Sequence, residues 1–383
     1  MTPSEKYVAE LCEKSFLPFW SFPNPIGKKN KELCDVIVIC ENTIIIISVK
    51  DITVSENNDE VINYERWVKK AIENSVIQIY GAERFLKTTD YILLNDRKTK
   101  IKLPPKNSRI IHRIAIAFGS KEEYPLPIGD YGKGFVNVFD EKSTSIILSE
   151  LDTITDFTNY LKAKETFIEN KYILIPREVD FLAFYLQTGL ELEHTPNVIL
   201  LEEYLWENYT KSKEYEDWKN DILGSYIWDI MIWELFKNHI TSETTLERRN
   251  EIEEAVRHIN LEPRINRIVL GEILSKAIKE KVNARMLRPL ENQNHLYVFM
   301  PLTNENWDEK EGELLLRCNV ARLENPTTHK VIGIAIGNND KGQSCFDICF
   351  INIPELDEDF IKHAEKVKNE LGYFKNPKIT NNN

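Results

Sequence analysis

The chain lacks most of the short motifs that announce a chemistry. No phosphate-cradling glycine loop and no Gly-x-Ser-x-Gly elbow occurs in its 383 residues, which removes the common nucleotide-binding and serine-hydrolase patterns. Its seven histidines are scattered, without a His-Glu-x-x-His spacing. Its six cysteines, at positions 12, 34, 40, 318, 345 and 349, form no Cys-x-x-Cys pair and have no nearby histidine to complete a zinc site. They read as reduced core residues, as expected of a cytoplasmic protein. No apolar run approaches the ~20 residues of a membrane span. The opening Met-Thr-Pro-Ser-Glu has neither a basic n-region nor an apolar h-region, so no secretory leader is expected. No internal repeat is visible.

What the chain does have is concentrated between Lys31 and Asp51. Lys-Glu-Leu-Cys-Asp leads into Val-Ile-Val-Ile-Cys, then Glu41-Asn42, then Thr-Ile-Ile-Ile-Ile-Ser-Val-Lys-Asp. Two β-branched runs around a short polar break predict a β-hairpin. With a two-residue loop, Cys40 pairs with Thr43 and Asp35 lies opposite Ser48. Residues directly opposite share a face, as do alternate residues along a strand. Asp35, Ser48 and Lys50 therefore project from one side, among Leu33, Ile37 and Ile46. A polar end of a solvated strand would account for them, and so would a metal-dependent phosphodiesterase site.

Around the hairpin the pattern continues. Thr2-Pro3-Ser4-Glu5 is a capping box with proline in the first turn, opening a helix whose apolar face is Tyr7, Val8, Leu11 and Cys12. Glu10 lies near the edge of that face. From Phe16 to Ile26, three prolines exclude a helix and the aromatics call for burial. A long helix is predicted from Val61 to Lys87, with Gln78 flanking the apolar stripe beside Ala71, Ser75 and Ala82. A basic hairpin (Tyr91–Leu103), strands at Arg109–Phe118 and Gly134–Phe139, and a helix over Asp152–Glu169 follow.

The Asp-to-Lys hairpin, with Phe-Trp-Ser-Phe-Pro-Asn-Pro before it and Ser-Val-Ile-Gln-Ile-Tyr-Gly-Ala after it, resembles the PD-(D/E)XK nuclease superfamily. The resemblance covers the first 175 residues or so. It implies a sandwich of a mixed central sheet and helices, and Mg²⁺-dependent hydrolysis of nucleic acid, DNA in preference to RNA, with Mn²⁺ able to substitute. It assigns metal binding to Asp35 and the Val49 carbonyl, and activation of the attacking water to Lys50. Gln78 takes the position of the helix residue that points into the site. The family's second carboxylate is replaced here by Ser48. Glu10, on the first helix, or Glu32, three residues before Asp35, would supply it; the alternatives are a surface glutamate and the solvent-facing residue that leads into the strand. Chains of this kind often belong to bacterial defence against phage. The rival expectation, motivated by Ser48, is a catalytically degenerate binding or assembly module.

The formal net charge is −12, which at first disfavours a polyanion partner. Residues 1–120, however, carry 18 Lys/Arg against 15 Asp/Glu, and the remainder 31 against 46. Lys28, Lys29 and Lys31 sit directly before Asp35, either as phosphate contacts or as a solvated loop. The sequence thus divides into an α/β nuclease-like region (1–175), a helical accessory region (176–284) and a mixed α/β accessory region (285–383). The last two are expected to bind a regulatory protein or a second copy of the chain.

Overall fold

The computed structural model describes residues 1–53, 59–120, 124–192, 195–241, 243–287, 294–303, 307–338 and 344–375. The frayed end expected at Lys378–Asn383, and all of the polar loop Ser55–Asp59 except Asp59, lie outside them. The chain is α/β and divides into two compact units: 1–249 with 257–268, and 250–256 with 269–383.

In the first unit, α1 (Pro3–Phe16) starts at Thr2, whose side chain accepts from Glu5 N–H while Glu5 reaches back to Thr2 N–H, as the capping box predicts. The proline-rich segment is extended and contributes β1 (Ser21–Pro23), which pairs antiparallel with β2 (Val36–Cys40). β2 turns through Glu41-Asn42 into β3 (Thr43–Asp51), with Cys40 opposite Thr43 and Val36 opposite Ile47. That is the register read from the two-residue loop, and Glu41 takes a left-handed φ of 51° to close it.

A long helical stretch covers the next segment as α2 (Glu60–Trp67), a π-helical turn at Val68–Glu73, and α3 (Asn74–Leu86). The small hairpin β4 (Tyr91–Leu93) and β5 (Lys100–Lys102) precedes β6 (Ile110–Phe118), which runs parallel to β3. β7 (Gly129–Asp130) and β8 (Phe135–Phe139) complete a mixed six-stranded sheet in the order β1-β2-β3-β6-β8-β7. Ile37, Ile39, Ile44 and Ile46 pack with Trp67, Ala71, Ile72, Val76 and Ile79, so α2 and α3 cover one face. Each isoleucine or valine among them contributes roughly 1.5–3 kcal/mol when fully buried.

After α4 (Glu141–Glu150) and α5 (Ile154–Asn170) the unit continues through β9 (Tyr172–Leu174), α6 (Glu178–Gln187), β10 (Val198–Leu200), α7 (Leu205–Tyr209), α8 (Lys213–Asp221) and α9 (Ile227–His239). The boundary expected at residue 175 is therefore corrected. β9 pairs with β10 across it, and the fully buried Lys164 of α5 grips Glu178 of α6 at 2.6 Å. Proline 176 ends one element and begins another within the same core. α10 (Leu246–Leu261) and α11 (Arg264–Lys279) are shared between the units in sequence.

The second unit holds β11 (Arg285–Leu287), β12 (His295–Pro301), α12 (Lys310–Glu324), β13 (Lys330–Asn338), β14 (Ser344–Asn352) and α13 (Glu358–Leu371). Its four strands lie in the order β11-β12-β13-β14, with β12 and β13 parallel. Leu314, Cys318 and Ala321 of α12 pack on Leu296, Val298, Val331 and Ala335. Among the described residues no helix is long and apolar enough to cross a membrane.

Candidate functional site

The candidate site lies where β2 begins and β3 ends. Asp35 precedes β2, and its N–H donates to Ile47 O at 3.2 Å, which continues the hairpin ladder by one step. Its side chain is 2% exposed, and Oδ2 accepts from Val49 N–H at 2.6 Å. Lys50 Nζ stands 3.7 Å from the same oxygen, with its side chain 30% exposed. The common face of Asp35 and Lys50 is thus as the hairpin register requires. The lysine is long enough to reach solvent from a site whose floor is apolar.

Ser48 is fully buried on that face, and its hydroxyl donates to Gln78 Oε1 of α3 at 2.8 Å. Two residues that the sequence places 30 positions apart meet directly. The flanking position of Gln78 on the helix is what makes this contact possible.

Glu32 joins Asp35. An antiparallel bridge to Ile26 holds its backbone, and the two carboxyls are hydrogen-bonded to one another. Desolvation, then that hydrogen bond and the charge of Asp35, push the Glu32 carboxyl up to about 7, while Lys50 opposes the shift. Two carboxyls this close cannot both be ionised cheaply, so one keeps a proton near neutrality. The negative charge of Glu5 adds to the shift. Glu5, at the start of α1, is therefore the first-helix acid whose charge reaches the pair. Glu10 is exposed and pairs with Lys6 at 3.7 Å. The capping box marked Glu5 only as a cap, and nothing in the helical pattern said that this end of α1 would meet the hairpin.

Two further groups sit nearby. Cys34 is buried, and burial together with the charges of Asp35 and Glu32 pushes its thiol up, which makes it a poor nucleophile. Asn24 donates its N–H to Asp35 O at 2.9 Å, and its side-chain Oδ1 is buried without a hydrogen-bond partner. Lys28, Lys29 and Lys31 are exposed on the loop between Ile26 and Glu32. A separate cleft of about 170 Å³, lined by Asp140, Arg177 and Glu178 among others, contains none of these groups.

Among the described residues, no group of three or more His, Cys, Asp or Glu side chains could hold a metal ion. The donors here are two carboxylates and the Val49 carbonyl. That set suits Mg²⁺, which is held through one or two carboxylates and keeps several of its waters, and does not suit a closed structural cage. A carboxyl pair that holds a proton between its oxygens is also the pair a divalent cation can bridge in its place.

Comparison with family models, with curated proteins and with solved structures finds no match for this chain.

Proposed function

We propose that the chain is a Mg²⁺-dependent nuclease that hydrolyses phosphodiester bonds of nucleic acid, DNA in preference to RNA. The observation that carries this reading is the convergence of Asp35 and Lys50, 3.7 Å apart on one face of a hairpin, with Val49 between Lys50 and Ser48 in sequence. The resemblance to the PD-(D/E)XK pattern agrees with that convergence and with the α/β class.

Asp35, Glu32 and the Val49 carbonyl would hold the cation, which when bound supplies Lewis-acid polarisation of the scissile phosphate and acidifies a coordinated water. The chain's own groups do the rest. Lys50 orients the attacking water and donates to a phosphate oxygen as negative charge grows on it. Ser48 fixes the Gln78 side chain by donating to its Oε1, so the Gln78 amide NH₂ is the donor that can meet the substrate. The buried floor of Ile37 and Ile46 lowers the local dielectric, which strengthens each of these interactions.

Asp35→Ala and Lys50→Ala should each lower Mg²⁺- or Mn²⁺-dependent cleavage of plasmid or oligonucleotide by about a hundredfold or more while the protein stays folded. Equal cutting by wild type and both variants would place the chemistry elsewhere. The second reading, a binding or assembly module, is favoured by Ser48, whose hydroxyl is committed to Gln78 where a carboxylate ligand is expected. Under that reading wild type fails to cut nucleic acid under any metal condition. On resemblance alone, we assign the biological setting to anti-phage defence, with residues 176–383 engaging a regulatory partner or a second copy.

A further inference from the structure

The loop that carries Glu32 is not isolated. Ile26 is bridged to Glu32 on one side and to Leu93 of β4 on the other, with Ile26 N–H donating to Leu93 O at 2.8 Å. Leu93 in turn pairs with Lys100 of β5. Four backbone positions, Glu32, Ile26, Leu93 and Lys100, therefore lie side by side, and the hairpin β4–β5 extends laterally from the candidate site.

The hairpin's cations are outward and available. Arg97, Lys98, Lys100 and Lys102 are all exposed. Ile92 and Ile101 face inward, so alternation turns Tyr91, Lys100 and Lys102 outward, and the Lys100 ammonium lies 4.7 Å from the Tyr91 ring centre. The one acid of the turn, Asp96, is used up locally. Its carboxylate accepts from Lys98 N–H, Thr99 N–H and the Thr99 hydroxyl. Arg97 is held at the tip with a left-handed φ of 59°.

We propose that β4–β5 is a backbone clamp for a nucleic-acid strand passing through the candidate site, and that Arg97, Lys98, Lys100 and Lys102 are its phosphate contacts. This rests on the nuclease reading for the position of the strand, but not for the binding itself. Three strand-to-strand steps separate Glu32 from Lys100, about 14 Å in all. At 3.4 Å of rise per nucleotide along each strand, that spans about four nucleotide steps of a duplex. A polyanion held at the hairpin would thus present phosphates to Lys28, Lys29 and Lys31 on its way to Asp35. Such contacts position the substrate without reading its sequence.

The test uses the full chain carrying Asp35→Ala, without divalent cation, so that cleavage does not enter. Binding to a duplex DNA and a duplex RNA oligonucleotide is measured against salt, before and after adding Arg97→Gln, Lys98→Gln, Lys100→Gln and Lys102→Gln together. The expected result is at least tenfold weaker binding at low salt. The slope of log affinity against log salt should become shallower by about one per lost phosphate contact, up to about four. The DNA and RNA arms distinguish which backbone the clamp prefers. Unchanged affinity and slope overturn the clamp, and aggregation of the variant would then mark the lysines as protection of an exposed strand edge. Absence of binding by the parent overturns it too. Hairpin-dependent binding by a wild type that never cuts supports the clamp while refuting the nuclease reading. Cutting that is indifferent to the hairpin does the reverse.

Discussion

Two regions of the first unit bury charge, and they do so differently. In the helical region the buried Lys164, Glu178, Asp229, Arg264 and Arg267 each meet an opposite charge at close range. Lys164 Nζ lies 2.6 Å from both oxygens of Glu178, which also accepts from the Tyr160 hydroxyl at 2.7 Å. Asp229 is shared by Arg264 at 2.8 Å and Arg267 at 2.7 Å, and Arg264 also donates to Asp152. At the hairpin the acids are set against each other. Asp35 and Glu32 hydrogen-bond as a carboxyl pair, and the cation beside them stands at 3.7 Å. Buried ions are tolerated only when geometry returns what desolvation costs. The helical networks meet that condition through protein contacts alone. At the hairpin the buried Asp35 is answered by Val49 N–H and by Lys50 at 3.7 Å, a looser match than the helical networks make.

The largest effect should come from breaking a matched pair. Lys164→Met leaves the Glu178 carboxyl buried opposite an apolar chain. By the usual cost of orphaning one partner of a buried ion pair, it should lose about 3–5 kcal/mol in urea unfolding. Lys164→Met with Glu178→Leu removes both charges and should recover most of that loss. A single variant within about 1 kcal/mol of wild type would show that the pair is not what fastens α6 to α5.

The hairpin acids should answer in the opposite way. Asp35→Asn keeps an acceptor for Val49 N–H and removes one charge of the carboxyl pair, so its unfolding free energy should change by less than about 1 kcal/mol, in either direction. Divalent-dependent cleavage should disappear all the same. Loss of stability comparable to Lys164→Met would place Asp35 among the structural charges and weaken the distinction between the two regions.

How much of this could be read in the sequence depends on range. The hairpin register followed from a two-residue loop, since that loop alone determines which residues oppose, and Asp35 and Lys50 came with it. The Ser48–Gln78 contact was foreshadowed by helical spacing on one element and strand alternation on the other. The Asp35–Glu32 pair was legible only as an alternative, because it depends on Ile26 folding back beside Glu32. Glu5 was hidden behind its capping role, and Glu10 lay on the edge of the apolar face but turned to Lys6. The boundary at residue 175 failed for the same reason of range. A proline reads as local punctuation, whereas the Lys164–Glu178 contact that overrides it is made by tertiary packing.

The smallest expected effect is also the most direct probe of the carboxyl pair. Glu32 titrates near 7 in the folded chain against an ordinary value of 4.5. Below about 4.5 both states hold the proton, and its favourable contact with Asp35 is fully present. Between about 4.5 and 7 the unfolded chain binds fewer protons than the folded one, so stability falls as pH rises and levels off above 7. Glu32 is largely solvent-facing, so the decline should be modest and reduced further by salt. Urea midpoints of wild type and Glu32→Gln, measured from pH 4.5 to 8 without divalent cation, isolate it, because acids elsewhere contribute equally to both. The difference between the two proteins should grow over that window and then stay constant. Asp35→Asn should flatten the wild-type curve in part, since it removes the neighbouring charge while the desolvation that is the larger cause of the shift remains. Adding Mn²⁺ should reverse the trend in wild type, since a bound cation favours the ionised pair and releases the proton that low pH restores. If Glu32→Gln tracks wild type at every pH, the two carboxyls are not coupled in solution, and Glu32 is a solvent-facing residue leading into the strand.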